Sequence, residues 1–205
     1  MSDLLLSSPV TLFMLTVNVL IGLVTLTSRP ELIDAWAFKP YQVVREREWS
    51  RWLTAGFVHV GFGHLLFNMV TLFFFGPVVE QTMGSASFLA VYLGSEITAN
   101  ALTYWRHREN PAYSAVGASG AISGVLFSFC LFYPFEKIYL MLIPIGIWAV
   151  VFAPLYIVIS VYMAGSGRGR VAHEAHIGGA LGGLALTVLL YPEAVQIFLD
   201  QIAGR

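Results

Sequence analysis

The sequence predicts an all-α polytopic membrane protein: one domain, residues 1–205, built from six transmembrane helices. Three observations predict it. With 11 Lys and Arg and 12 Asp and Glu, only 11% of the 205 residues are charged, against the roughly 25% that covers a soluble domain. The charges are clumped, leaving charge-free windows at 4–28, 52–79, 110–135, 138–167 and 175–192, and a sixth at 81–105 broken only by Glu96. Each window is close to or longer than the about 20 apolar residues that a spanning helix needs.

Span 1 is expected over 8–27, where Ser28-Arg29-Pro30 ends it. Its leader, Met1-Ser2-Asp3, has no Lys or Arg, and its apolar run outlasts a signal-peptide core, so it reads as a retained span. Residues 28–60 are the one long connection. Charges there interleave with Trp36, Phe38, Tyr41, Trp49 and Trp52, which suits short helices lying in the membrane interface. Span 2 is expected over 62–83, span 3 over 87–106 and span 4 over 116–133. A tight turn at Tyr133-Pro134-Phe135-Glu136-Lys137 leads to span 5 over 138–163, and span 6 follows over 174–191. Of the later loops only 107–115 and 164–173 have any length, and Gly165, Gly167 and Gly169 suit the second to movement.

Several classes of function drop out. A net charge of −1 with no basic cluster argues against a nucleic-acid partner. A single cysteine, Cys130, excludes a disulfide framework and a cysteine-ligated metal, and reads as a packing residue. Glu96 and Asn100 share a face of span 3 and read as bonded to neighbouring helices.

Consecutive spans alternate in direction, so spans 2, 4 and 6 begin at one membrane face. His64 and Asn68, then Ser119, then His173 and His176 stand in the opening turns of those three helices. At 1.5 Å per residue they share a depth just below one surface. Ionisable residues inside spans face a bundle interior or a watery cavity, so this set reads as one site.

Ser119 has Gly117 and Gly120 beside it, which clears space around its hydroxyl. At a helix start the unpaired amides and the dipole favour a developing oxyanion. A serine hydroxyl is a weak nucleophile without a base; the soluble-hydrolase elbow is absent, because Ala121 replaces its last glycine. Taken alone, Gly-Ala-Ser-Gly reads equally as a packing device. His176 runs into Gly179 and Gly183, a small-residue row that faces a matching row, Gly120 and Gly124, on span 4. Packing row on row brings His176 within reach of Ser119 as its base; otherwise His173 and His176 are interfacial polar residues. The histidines are three apart, whereas a zinc-protease helix needs four; His59, His64, His173 and His176 remain the set a metal would use. His64 and Asn68, four apart, carry donors suited to an oxyanion or to plain interhelical bonding.

Taken together, His59-x4-His64-x3-Asn68, Gly117-Ala118-Ser119-Gly120 and Ala175-His176-Ile177-Gly178-Gly179 resemble the rhomboid intramembrane serine proteases. Arg51 and Gly76-x3-Glu80 fit as well, and the likeness covers about 45–190. The resemblance implies a six-helix rhomboid bundle with Ser119 as nucleophile and His176 as general base and acid. It implies an oxyanion hole from His64, Asn68 and the Ser119 backbone N–H, with His59, Gly117, Gly120, Gly179 and Gly183 as structural support. It also implies no cofactor, no metal, and substrates that are transmembrane segments of other membrane proteins, unwound within the lipid bilayer. Spans 2 and 5 and the 164–173 loop would form a movable cover. Two departures stand out. Some members place a Tyr four residues after the nucleophile, beneath the imidazole, where this chain has Ser123. No seventh span follows span 6 and no soluble domain precedes span 1, as in the six-span prokaryotic form, which lies in the inner (plasma) membrane.

Charge and resemblance disagree on orientation. The 28–60, 106–115 and 164–173 connections hold nine Lys and Arg and the other face two, which places the nine in the cytoplasm. The resemblance places them, with the catalytic opening, outside, and we follow it because 28–60 reads as an interfacial subdomain. Two other functions fit the same residues. One is a catalytically silent rhomboid-like protein that binds membrane helices. The other is a small transporter with Glu80 or Glu96 on a polar path, although Glu80 lies about 24 Å along the helix from His64.

Overall fold

Each of the six expected spans contains a helix in the computed structural model, which describes residues 2–140, 143–166 and 172–204. A short α1 (Ser2–Leu6) leads to α2 (Pro9–Thr27), whose proline stands in the first turn, where its missing N–H costs nothing. The 28–60 segment folds into α3 (Glu31–Trp36), α4 (Pro40–Arg45), α5 (Arg51–Thr54) and a 3-10 turn at Ala55–Phe57. Then come α6 (Phe62–Met83), α7 (Ser85–His107) and α8 (Ser119–Phe132). A hairpin of β1 (Lys137–Leu140) and β2 (Ile143–Trp148) precedes α9 (Ala149–Ser166). The chain continues through α10 (His173–Leu190) and α11 (Glu193–Ile202).

Two expectations are corrected. Span 5 does not start at 138, because residues 137–148 pair as antiparallel strands, with Lys137 opposite Trp148 and Ile138 opposite Ile147. A charge-free apolar run does not by itself separate strand from helix. Span 4 does not start at 116, because the helix begins at Ser119 itself. Beyond Pro192 an amphipathic helix, α11, turns 105° from α10, where no element was expected. Of the glycine-rich 164–173 loop, residues 167–171 lie outside the described set.

By length and composition α2 and α6 each suffice to cross a membrane, and α10 with α11 does so as a bent pair. The centre of the bundle is α8, in which every residue from Gly120 to Cys130, and Phe132, is buried. Cys130 sits in this core, as expected of a packing residue. On one side α10 presses against α8 through the two glycine rows. A Cβ built on Gly179 would run into the Gly120 carbonyl, and one on Gly183 into the Gly124 backbone. Deeper along the same seam the hydroxyls of Ser128 and Thr187 meet at 2.6 Å. Without a water-driven apolar force inside lipid, such close backbone approach is what holds membrane helices together.

Glu80 ties α6 to α2. Its carboxylate accepts the Val10 and Thr11 amides at 3.0 and 2.7 Å, the Thr11 hydroxyl at 2.7 Å and the Ser85 hydroxyl at 2.7 Å. A carboxylate suits the positive end of a helix, and here it takes amides that have no partner within α2. In the 28–60 segment the buried Arg51 guanidinium donates to Glu48 at 2.6 Å and to the Asp34 and Ala37 carbonyls at 3.0 and 2.8 Å. That bond holds the Glu48 carboxyl below its ordinary range.

The glycine seam makes a direct prediction. Gly179→Ala puts a methyl against the Gly120 backbone, which costs about 1–3 kcal/mol as overpacking despite the better helix propensity of alanine. Gly63→Ala, with open space around its Cβ, gains the propensity alone. Thermal unfolding in detergent should therefore show a lower midpoint for the first and an unchanged or higher one for the second.

Candidate active site

Ser119 is the first residue of α8, so its amide is one of those a helix leaves unpaired. The backbone before it is irregular but satisfied. Phe38 and Ala115 exchange hydrogen bonds at 2.9 and 3.0 Å, and the Gly117 N–H donates to the Ala55 carbonyl at 2.9 Å. The 28–60 segment thus carries the strand that delivers Ser119. Gly117 takes φ +115°, a conformation that side chains rarely adopt. A Cβ there would also lie against the His64 ring, 2.8 Å from Nε2. His64 therefore packs directly on the backbone two residues before the serine.

From α10, His176 reaches back with Nε2 2.8 Å from Ser119 Oγ. The two side chains are 57 residues apart in the chain, and the glycine seam between α8 and α10 brings them together. Next to them lies a groove of about 1800 Å³, lined by α6 residues including His64, Phe67, Asn68 and Phe74 and by α9 residues including Phe152, Leu155, Tyr156 and Ile159. Ser119 and His176 line the same groove. Asn68 is buried, and its side-chain amide nitrogen has no protein partner among the described residues. A buried donor without a partner is costly, and this one borders the groove that also holds the serine.

The remaining candidates separate. His59 is fully buried, 5.1 Å from the His64 ring in an edge-on arrangement, and is absent from the groove lining. Burial, with the neighbouring His64 as a smaller cause, pushes its imidazole down to about 4. The His173 ring packs edge-on against His176 at 5.9 Å. Among the described residues no three His, Cys, Asp or Glu side chains converge as a metal site. Glu96 is buried behind α8, accepting Asn100 at 3.1 Å and the Ala121 amide at 3.3 Å; Asn100 also donates to the Trp52 carbonyl at 3.0 Å.

Two features were not legible in the sequence. Glu174 accepts the Tyr113 hydroxyl at 2.5 Å and pairs with His107 at 2.7 Å, while the His107 and Tyr113 rings stack at 3.7 Å. Burial, reinforced by Glu174, raises the Tyr113 phenol above its ordinary range. This clamp joins the end of α7, the loop before Ser119 and the start of α10. Tyr156 of α9 is the other, its ring 6.2 Å from that of His176 and tilted by 32°. Neither follows a motif.

The model of the Rhomboid domain matches residues 46–193. The rhomboid protease GluP of Bacillus subtilis (strain 168) is 31% identical over 82% of this chain and 31% of its own. YdcA of the same organism is 48% identical over 43% of each chain. The mitochondrial Rhomboid protein 1 of Saccharomyces cerevisiae is 31% identical over 63% of this chain and 38% of its own. The chain thus spans between 31 and 43% of the length of these curated relatives.

The depressed His59 has a measurable consequence. Its folded value near 4 lies below the roughly 6.5 of an unfolded chain. Its neutral burial therefore costs no stability above about pH 6.5, and stability falls as pH drops from there toward 4, where the unfolded chain binds the proton first. Thermal midpoints of the parent and His59→Phe should diverge over that range, the parent losing ground. A gap that stays constant with pH would show that His59 titrates alike in both states.

Proposed function

The chain belongs to the rhomboid family and is an integral membrane protein, and from that premise we propose that it is an intramembrane serine endopeptidase. It cleaves transmembrane segments of other membrane proteins with a Ser119–His176 dyad. The observation that carries this reading is the 2.8 Å approach of His176 Nε2 to Ser119 Oγ at the wall of a largely apolar groove.

In this reading α2, α6, α7, α8, α9 and α10 are the six spans. At 1.5 Å per residue the 14 residues of α8 cover only about 21 Å, less than the roughly 30 Å of a hydrocarbon core. Ser119 then lies below the surface. The irregular backbone above it is tolerated at that depth because Phe38 and Ala55 satisfy it. A substrate segment enters between α6 and α9 and leaves helical geometry, because helical carbonyls are hidden in their own hydrogen bonds.

His176 Nε2 accepts the Ser119 proton as Oγ attacks the scissile carbonyl. The Ser119 N–H, the Asn68 amide and His64 donate to the oxyanion, the largest share of stabilisation in acyl transfer. The imidazolium then protonates the leaving amine; water, deprotonated by the same nitrogen, attacks the acyl-enzyme, and the C–Oγ bond breaks as the imidazolium returns its proton to Ser119 Oγ. No cofactor enters these steps. The Bacillus relatives support an inner-membrane location in a prokaryote.

A fluorophosphonate should label the detergent-solubilised protein at Ser119. Ser119→Ala should abolish labelling, and either Ser119→Ala or His176→Ala should cut turnover of a tagged single-span substrate by about 10³-fold or more. Cleavage that survives Ser119→Ala overturns the reading, and a parent that neither labels nor cleaves but still binds the single-span segment supports a silent helix-binding protein. Reporter fusions after residues 85 and 110 should place 110 outside and 85 inside; the reverse supports the orientation set by charge.

A further inference from the structure

The place beneath the catalytic imidazole that Ser123 leaves unfilled is occupied from another helix. Ser123 Oγ donates to the Ser119 carbonyl at 2.7 Å and lies 2.7 Å from the Tyr156 hydroxyl. A serine has one hydroxyl proton. Since that proton goes to the carbonyl, the Tyr156 phenol is the donor to Ser123 Oγ. The hydrogen bonds therefore run in one direction, from Tyr156 through Ser123 to the backbone of the nucleophile.

The Tyr156 ring is held on its other sides by Phe127 and Phe152, each with its centroid 5.6 Å away. It stands 6.2 Å from the His176 ring. The contacts close a circuit: Ser119 Oγ to His176, His176 to the Tyr156 ring, Tyr156 to Ser123, and Ser123 back to the Ser119 carbonyl. The circuit crosses α8, α9 and α10. An imidazole held by one hydrogen bond at Nε2 can swivel about its side-chain torsions, and a flanking ring that is itself pinned restricts that swivel.

We infer that Tyr156 is the positioning residue for His176, and that its hydrogen bond to Ser123 makes the dyad's geometry depend on where α9 sits. This rests on the proteolytic reading above and adds to it. Because α9 forms one wall of the groove, displacement of that wall by an incoming segment and the aim of the imidazole are one coupled event. A tyrosine that served only as wall would act through substrate binding instead.

The test is a double-mutant cycle on cleavage of a tagged single-span substrate. Tyr156→Phe and Ser123→Ala should each lower kcat by about 3- to 10-fold with KM held within about twofold, and the double variant should be no worse than the poorer single, since both remove one bond. Tyr156→Leu, which also removes the ring, should lower kcat by about 100-fold. Losses that multiply, or a raised KM at constant kcat, overturn the inference. If the parent shows no turnover that depends on Ser119, the proteolytic reading fails first. The pair is then judged on nitrogen-15 spectra of the histidine rings, where Tyr156→Leu should move the His176 signals and unmoved signals overturn the inference.

Discussion

The structure depends on the absence of side chains along one seam. Gly120 and Gly124 on α8 meet Gly179 and Gly183 on α10 so closely that a single methyl on α10 would overlap the α8 backbone. Helices with ordinary side chains pack at 8–10 Å between axes; these need less. The hydroxyl and the imidazole stand at the same end of that seam, and their 2.8 Å separation follows from it. Packing and site geometry are here one constraint: what holds α8 to α10 also sets the distance between the Ser119 hydroxyl and the His176 imidazole.

Around that seam neighbouring segments satisfy the irregular backbone that leads to Ser119. The strand that delivers Ser119 is bridged to Phe38 and bonded to Ala55. The segment carrying those two residues is itself knitted by Arg51 across α3 and α5. On the opposite side the Glu174, His107 and Tyr113 clamp closes the loop onto α10. The serine thus sits at the convergence of three separately fixed elements.

Much of this was legible in the sequence where one physical rule governed. The charge-free run at 62–83 coincides with α6, because a long apolar run bounded by Gly61 and Gly84 has one solution in lipid. The small-residue rows on spans 4 and 6 indicated which helices touch, and so which histidine meets which serine. Legibility failed where a rule was degenerate. The 138–167 window is equally apolar as strand or helix, so the hairpin was invisible and span 5 was set eleven residues too early. Ser123 stands where some members place a tyrosine, and spacing along one helix says nothing about Tyr156, 33 residues away on another. No rule applied to the stretch beyond span 6 marked α11, whose Gln201 donates to the Phe132 carbonyl at the end of α8.

The Glu80 carboxylate carries an implication for how the first long helix is completed. It supplies the acceptors for the amides of Val10 and Thr11, and 69 residues separate it from Thr11. The amino-terminal end of the first long helix is therefore complete only when the second long helix lies beside it, and one acidic side chain supplies the acceptors for that end.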